Sequence, residues 1–513
     1  MTDIFQVVLL AAVIMIAARL LLRKTLADSK GNPIPPGPLL RYAFLRRYPE
    51  KPLHTWAKKY GPLYSVWMGE QLFVVINDPL VARDLLVVHG AIFSGRWSYF
   101  MKNQTILAGG AITASPYNDV WRKHRKIAMW LLNPKAVQGY AGIIDYEAHM
   151  LVRSLYEASL QGGSSVDPAN YAGRYALNNM LTLAFGTRTV SSSEPLVKEA
   201  LRLGMEFMQL TGPWTNMIDF IKILQWLPTR SRARAKKLHN DFISVYGAMI
   251  TDVKDRIETD KEVEDCLVKT LLQCREEENL TWEDMCFIVT AFTTGGVHST
   301  SGIIEWFIAL MPSHPHVQVK AAEEMDRVVG QHALPTVDDE MKMPYCRAII
   351  KEVLRIHAPF WMGTPHCSVE DFVYQGYFIP KNTVMVLNVY TLHHDERRYP
   401  DAWTFDPDRY INDNLSASES AKLPNVLERD HWAFGAGRRI CPGMDIAERE
   451  LWMALSRLLW SFRFSEDPRN PISLDEYEGL SGRTPLPYKV KIECRHENVR
   501  DILLEKHEVS NQL

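Results

Sequence analysis

Ten residues near the end of the chain, Phe434-Gly435-Ala436-Gly437-Arg438-Arg439-Ile440-Cys441-Pro442-Gly443, gather one cysteine, two adjacent arginines and three glycines into one short stretch. A helical pattern over 444–459 follows at once. Glycines allow the left-handed backbone of a tight loop and let main chain approach a flat ligand. Pro442 at the mouth of a helix gives up an N–H that would have no partner there. A cysteine just ahead of a helix faces unpaired amides and the positive end of the dipole, which favour the metal-ligating thiolate. The arginines offer planar cationic forks for carboxylates. Thiolate, anion clamp and close-approach glycines together describe the axial side of a haem. Taken alone, a cysteine in a glycine-rich turn is more simply a buried structural thiol.

Three further groupings carry chemistry-bearing side chains. Trp121 and Arg125 lie four apart in a helical segment, hence on one face. Glu352 and Arg355, three apart on a helix that ends before Pro359, make an ordinary helical ion pair. Phe292-Thr293-Thr294-Gly295-Gly296-Val297-His298-Ser299-Thr300 belongs to a long helix that begins after Thr281 and Asp284, whose spacing is that of a capping box. Two glycines inside a helix cost about 1 kcal/mol each and invite a kink or a close approach. His298 reads either as a packed helix histidine or as a proton donor, since imidazole titrates near neutrality.

The pattern Phe434-x-x-Gly437-x-Arg439-x-Cys441-x-Gly443 resembles the haem-binding signature of the cytochrome P-450 family. The resemblance implies haem b with an axial Cys441 thiolate, the ligand that favours O–O cleavage. Trp121, Arg125, His366 and Arg439 then serve the haem propionates and the loop, with Phe434, Gly437 and Gly443 as its fixed positions. It also implies that Glu352 and Arg355 join Arg409, from Phe405-x-Pro407-x-Arg409, in a network that braces the haem loop. The long helix becomes the one over the haem, where an acid–threonine pair usually relays protons. This chain departs there, with His298 in the acid's place and Ser299 in the threonine's, so Ser299, Thr300 and His298 are the proton-handling candidates. Substrate contacts are implied for 98–107, 207–214, 292–299, 360–364 and the loop 479–481. Phe292, Gly295, Gly296, Phe360, Trp361, Met362 and Leu480 would form an apolar, partly aromatic pocket. Similarity to fungal biosynthetic members suggests a lipophilic or aromatic small molecule, oxidised with dioxygen in secondary metabolism.

These residues need a large scaffold. The chain has 513 residues, 47% hydrophobic and 23% charged, which is ordinary globular composition. A net charge of −2 argues against a nucleic-acid partner, and seven scattered cysteines without a C-x-x-C pair suggest neither a disulfide framework nor a zinc site. Residues 4–22 are nearly all apolar, long enough to span a bilayer, with Asp3 before them and Arg19, Arg23 and Lys24 toward their far end. That polarity fits an uncleaved anchor with the body in the cytosol better than a signal peptide. A basic, proline-rich hinge over 23–38 reads as a stiff spacer before one catalytic domain, 39–513. A hairpin over 63–76, helical periodicity over 79–310 and late strands at 372–379 and 383–389 give a mainly α fold with small β-sheets. In the family this is the cytochrome P-450 fold behind a single transmembrane helix, at the endoplasmic reticulum.

With no flavin or iron–sulfur motif in the chain, electrons would come from NADPH through a separate reductase. Arg122, Lys123 and Lys126 could help dock it. A second basic run, Arg230, Arg232, Arg234, Lys236 and Lys237, is either a wet helix face or a contact with anionic lipid. Two other readings stay open: an isomerase or dehydratase that needs no external electrons, and a non-catalytic haem-binding protein.

Overall fold

The computed structural model describes residues 24–40, 48–159, 164–212, 216–259, 261–479 and 482–505, so the apolar stretch 4–22 lies outside the described residues. Among the described residues no helix is long and apolar enough to cross a membrane.

Eight helices organise the molecule: α1 (Asp119–Leu132), α2 (Ala141–Ala158), α3 (Ala169–Phe185), α4 (Pro195–Leu210), α5 (Arg230–Glu258), α6 (Trp282–Leu310), α7 (Pro344–Ile356) and α8 (Met444–Ser461). The capping box expected at the start of α6 is present: the Asp284 N–H donates to Thr281 Oγ1 at 3.0 Å, and the Thr281 N–H donates to Asp284 Oδ2 at 3.0 Å. From there α6 runs as one helix of 29 residues through both glycines and is buried on most sides. It packs on α3, α5 and α8, while α2 packs on α3 and α8. A Cβ on Gly296 would overlap the Met180 thioether of α3, so that glycine sets how near the two helices lie. Trp306, Trp452 and Trp460 are fully buried in this helical core.

A second apolar core lies under a four-stranded sheet of order β1-β2-β4-β3: β1 (Leu63–Met68), β2 (Gln71–Ile76), β3 (His366–Cys367) and β4 (Val384–Leu387). The predicted hairpin pairs Leu63 with Ile76 through Met68 with Gln71. β2 runs parallel to β4, which pairs antiparallel with β3. The stretch 372–379 is a hairpin rather than one strand, because Gln375 and Gly376 both take positive φ (49° and 79°) and turn the chain. The strand expected over 383–389 is shorter, ending at Leu387 before Asn388 caps the short helix Val389–His393. The proline-rich segment is no free spacer. The Ser65 N–H donates to the Pro36 carbonyl at 2.7 Å, the Phe378 N–H donates to the Pro33 carbonyl at 2.8 Å, and Ile34 is buried against Trp67 and Leu72. It is a strap along the sheet edge.

The brace is built as the sequence suggests. Arg355 meets Glu352 through two parallel bonds of 2.7 Å, and both side chains are 0% exposed. Arg409 adds a bond to the same carboxylate at 3.2 Å, and Arg355 also donates to the carbonyls of His393 and Ala402 at 2.7 Å. Glu352→Ala would leave Arg355 buried and unpaired, a loss of about 3–5 kcal/mol. We expect a correspondingly lower urea midpoint; a change under about 1 kcal/mol would contradict this role.

Candidate active site

The stretch 434–443 is a loop, and its shape is imposed by neighbours. The Cys441 N–H donates to the Phe434 carbonyl at 2.9 Å, closing it. Gly435 and Gly437 hold φ of 73° and 64°, and a Cβ on Gly437 would also overlap the Leu86 carbonyl oxygen, so only glycine fits there. Phe434 packs, partly buried, on the helical core, and Gly443 precedes α8. A relay links the brace to the loop: His393 Nδ1 lies 2.8 Å from the Arg355 carbonyl, and its Nε2 accepts from the Trp432 N–H at 2.7 Å. From the other side Arg125 donates to the Ile440 carbonyl at 2.6 Å. Cys441 is partly exposed. Burial pushes its thiol up, and the Gly443 amide and the Arg125 guanidinium pull it part of the way back.

Around this loop gather cations without anions. Arg439 donates to the carbonyls of Ser94 (3.0 Å) and Ser115 (2.9 Å) and lies 4.2 Å from the Trp121 ring centroid. Arg96 donates to the carbonyls of Thr364 (3.0 Å) and Pro365 (2.8 Å). His366, on β3, places Nδ1 2.7 Å from the Phe93 carbonyl. Burial, then Arg96 and Arg125, push the Arg439 guanidinium down to about 8. His366 is pushed well below its usual range by burial, Arg96 and Arg439. Among the described residues no carboxylate pairs with Arg96, Arg125 or Arg439. Trp121, Arg125, His366 and Arg439 are thus brought together as expected. Arg96 was missed, since nothing in the spacing of 94–97 marks it.

On α6, the Ser299 hydroxyl donates to the Gly295 carbonyl at 2.7 Å, and no atom stands within 4 Å of where a Gly295 Cβ would be. Phe292 lies one turn earlier, partly buried. Other expectations for this region need correction. His298 turns toward α4, where a Cβ on Gly204 would overlap its ring; burial pushes it down to about 4 and its Nε2 has no partner, so it is a neutral imidazole. Thr300 donates to Glu450 Oε2 of α8 at 3.0 Å instead of offering its hydroxyl beside Gly295. Gly296 serves helix packing. Trp361 and Met362 are buried in the sheet-side core, the Trp361 ring 4.9 Å from Tyr390, whereas Phe360 approaches Gly482. Leu480 lies outside the described residues.

The comparisons agree with this geometry. The cytochrome P-450 family model matches residues 32–492. The chain belongs to the cytochrome P-450 family. Cytochrome P-450 monooxygenase virE of Hypocrea virens is 33% identical over 484 residues, covering 90% of this chain and 86% of the relative. Cytochrome P-450 monooxygenase polD of Polytolypa hystricis is 30% identical over 522 residues, covering 98% and 97%. A zebra fish cytochrome P-450 solved with abiraterone superimposes with a TM-score of 0.73 at 22% identity, covering 88% of this chain and 100% of that one. The protein is therefore an oxidoreductase of the monooxygenase class, and the family's cofactor is haem held by a cysteine thiolate. The residues present fit it: Cys441 is a soft ligand, and the uncompensated Arg96, Arg125 and Arg439 suit two carboxylates.

The basic residues of this P-450 are less free than their sequence suggests. Lys123 donates to the Glu278 carbonyl at 2.6 Å, Lys126 pairs with the Glu278 carboxylate at 3.0 Å, and Arg122 pairs with Asp119.

Glu450 supplies a test of the buried α6–α8 contact. Burial raises its carboxyl from the ordinary 4.5 to about 8, and Tyr175 donates to its carbonyl at 2.8 Å. The fold therefore prefers the protonated acid, and this contribution to stability falls as pH climbs from the ordinary carboxylate range through about 8. Glu305 and Glu448, also pushed to about 8, add to the same decline. Thermal unfolding across this window should show Glu450→Gln declining less steeply than the parent; parallel profiles would refute the assignment.

Proposed function

We propose that this P-450 takes electrons from NADPH through a separate membrane reductase and oxidises a lipophilic or aromatic small molecule in fungal secondary metabolism. Hydroxylation, oxidative coupling and desaturation are all outcomes of that chemistry. The observation that carries the reading is the clamped Cys441 loop beside partly buried cations that, among the described residues, have no anions of their own.

Bound haem with a thiolate ligand supplies dioxygen chemistry that no side chain can perform. The chain's own residues position and protect. Cys441 would hold the iron, and Arg96, Arg125, Arg439 and His366 would take the propionates. Ser299 keeps a hydroxyl on the open side of α6, oriented by the Gly295 carbonyl, and is the group placed to hand on a proton there. His298 is neutral and turned to α4, so it is not that donor. Phe292 and Phe360 contribute apolar surface that limits water.

We place the protein at the endoplasmic reticulum membrane, through residues 4–22, with the catalytic domain in the cytosol. Support comes from an exposed apolar tip beside the basic start of α5. Ile223 is 71% exposed and Trp226 85%, next to the exposed Arg230 and Lys236. Arg234 and Lys237 are held instead by Glu206 and Asp241.

Purified protein should show the red-shifted carbon monoxide band of a reduced thiolate-ligated haem, and Cys441→Ala should abolish it. Product formation in membranes should then require both NADPH and the reductase. Turnover without them would instead favour an isomerase or dehydratase. Comparing metabolites of the native host with and without this protein identifies the substrate.

A further inference from the structure

The chain beside Gly482 is held in place from far away in the sequence. Its hairpin is minimal: Tyr477–Glu478 pairs with Thr484–Pro485 through two residue pairs, and Pro485 has no N–H to give. A ladder that short does not hold its own position. Gly479 stands at a φ of 86°, and a Cβ there would overlap the Gly482 carbonyl oxygen, so the two ends of the turn lie against each other. Gly482 in turn meets side chains from two other elements. A Cβ on it would stand 3.3 Å from Met208 Sδ of α4 and 3.7 Å from the Phe360 ring.

The next residue, Arg483, fixes this meeting point in three directions. Its N–H donates to the Pro359 carbonyl at 3.0 Å, one residue before Phe360. Its carbonyl accepts from Trp306 Nε1 of α6 at 3.2 Å. Its guanidinium reaches Glu50 Oε2 at 3.4 Å, across 433 positions of sequence, and lies 5.0 Å from the Tyr477 ring centroid. Glu50 opens the helix Glu50–Tyr60, and the two side chains are 0% and 6% exposed. Among the described residues neither makes another ion pair, and Glu50 Oε1 has no hydrogen-bond partner. A buried pair so sparsely satisfied adds little net stability, because desolvation offsets the attraction. What it does supply is a fixed direction for the side chain that anchors the hairpin.

We propose that Glu50 and Arg483 are a positioning pair that holds Gly482 against Met208 and Phe360, and so sets how large a ligand the pocket accepts. The proposal rests on the haem-thiolate reading and deepens it. It also ties one wall of the pocket to the helix Glu50–Tyr60, close to the strap along the sheet edge.

The test is spectral titration of the ferric holoenzyme with two ligands that bind haem iron through nitrogen. Imidazole reads the iron alone, whereas clotrimazole, an imidazole with three aryl rings, also reads the pocket wall. The central variant is the double Glu50→Leu/Arg483→Met, which removes both charges and leaves neither buried without its partner. It should keep the parent's haem content, carbon monoxide band and thermal midpoint. Its Kd for clotrimazole should rise about fivefold or more, with that for imidazole unchanged within about twofold. Arg483→Lys keeps the charge and should stay close to the parent. Gly482→Ala, which crowds Met208 without touching the pair, should also weaken clotrimazole alone. A double variant that binds clotrimazole like the parent overturns the proposal, since the pair would then be structural only. Loss of haem from the double variant overturns it for the same reason. If the double variant does not fold, Gly482→Ala decides, and unchanged clotrimazole binding there overturns the proposal. Absence of the thiolate band from the parent protein would instead mean that the haem-thiolate reading itself had failed.

Discussion

The loop bearing Cys441 has little regular structure to hold it, so the position of its sulfur depends on forces from outside. The dominant one is the Glu352–Arg355 pair. Both groups are fully buried, and their two parallel bonds leave the carboxylate free to take Arg409 as well. Buried charge is costly unless every polar atom is satisfied, and this pair is satisfied by carbonyls from 393–404. His393 then turns satisfaction into transmission, with one ring nitrogen on Arg355 and the other on Trp432 just ahead of the loop. A network that looks like stability therefore acts on the geometry of a ligand several residues away.

Charge is distributed on a second principle. Near the loop the chain concentrates Arg96, Arg125 and Arg439 and supplies them with carbonyls and the Trp121 face but, among the described residues, no carboxylates. Their mutual repulsion and burial lower the Arg439 pKa to about 8. Such a cluster is at its best when a dianion arrives, so ligand binding and folding are thermodynamically linked here.

Helix α6 shows how adjacent residues divide incompatible tasks. Gly295 leaves space and lends a carbonyl to Ser299, whereas Gly296 lets α3 approach. His298 fills the α4 side and Thr300 binds α8. Successive residues turn about a quarter of the way round a helix, so each meets a different neighbour. The sequence shows two glycines and three polar residues in a run, but which face meets the pocket is decided by what surrounds the helix.

That distinction runs through the whole protein. Short-range spacing carries local conformation and covalent chemistry, which is why the Cys441 loop, the capping box of α6, the first hairpin and the Glu352–Arg355–Arg409 brace were legible. A match to a family segment cannot say which buried wall each of its residues joins, so Trp361 and Met362 were assigned to the pocket but pack in the sheet-side core. Arg96, His393 and Glu450 carry no local motif, because their roles depend on partners far away in the chain. The sequence alone determined the family and singled out Cys441 as its candidate haem ligand. Only the tertiary structure decided which charges are left without partners, since a partner is a matter of distance in space and burial, not of position along the chain.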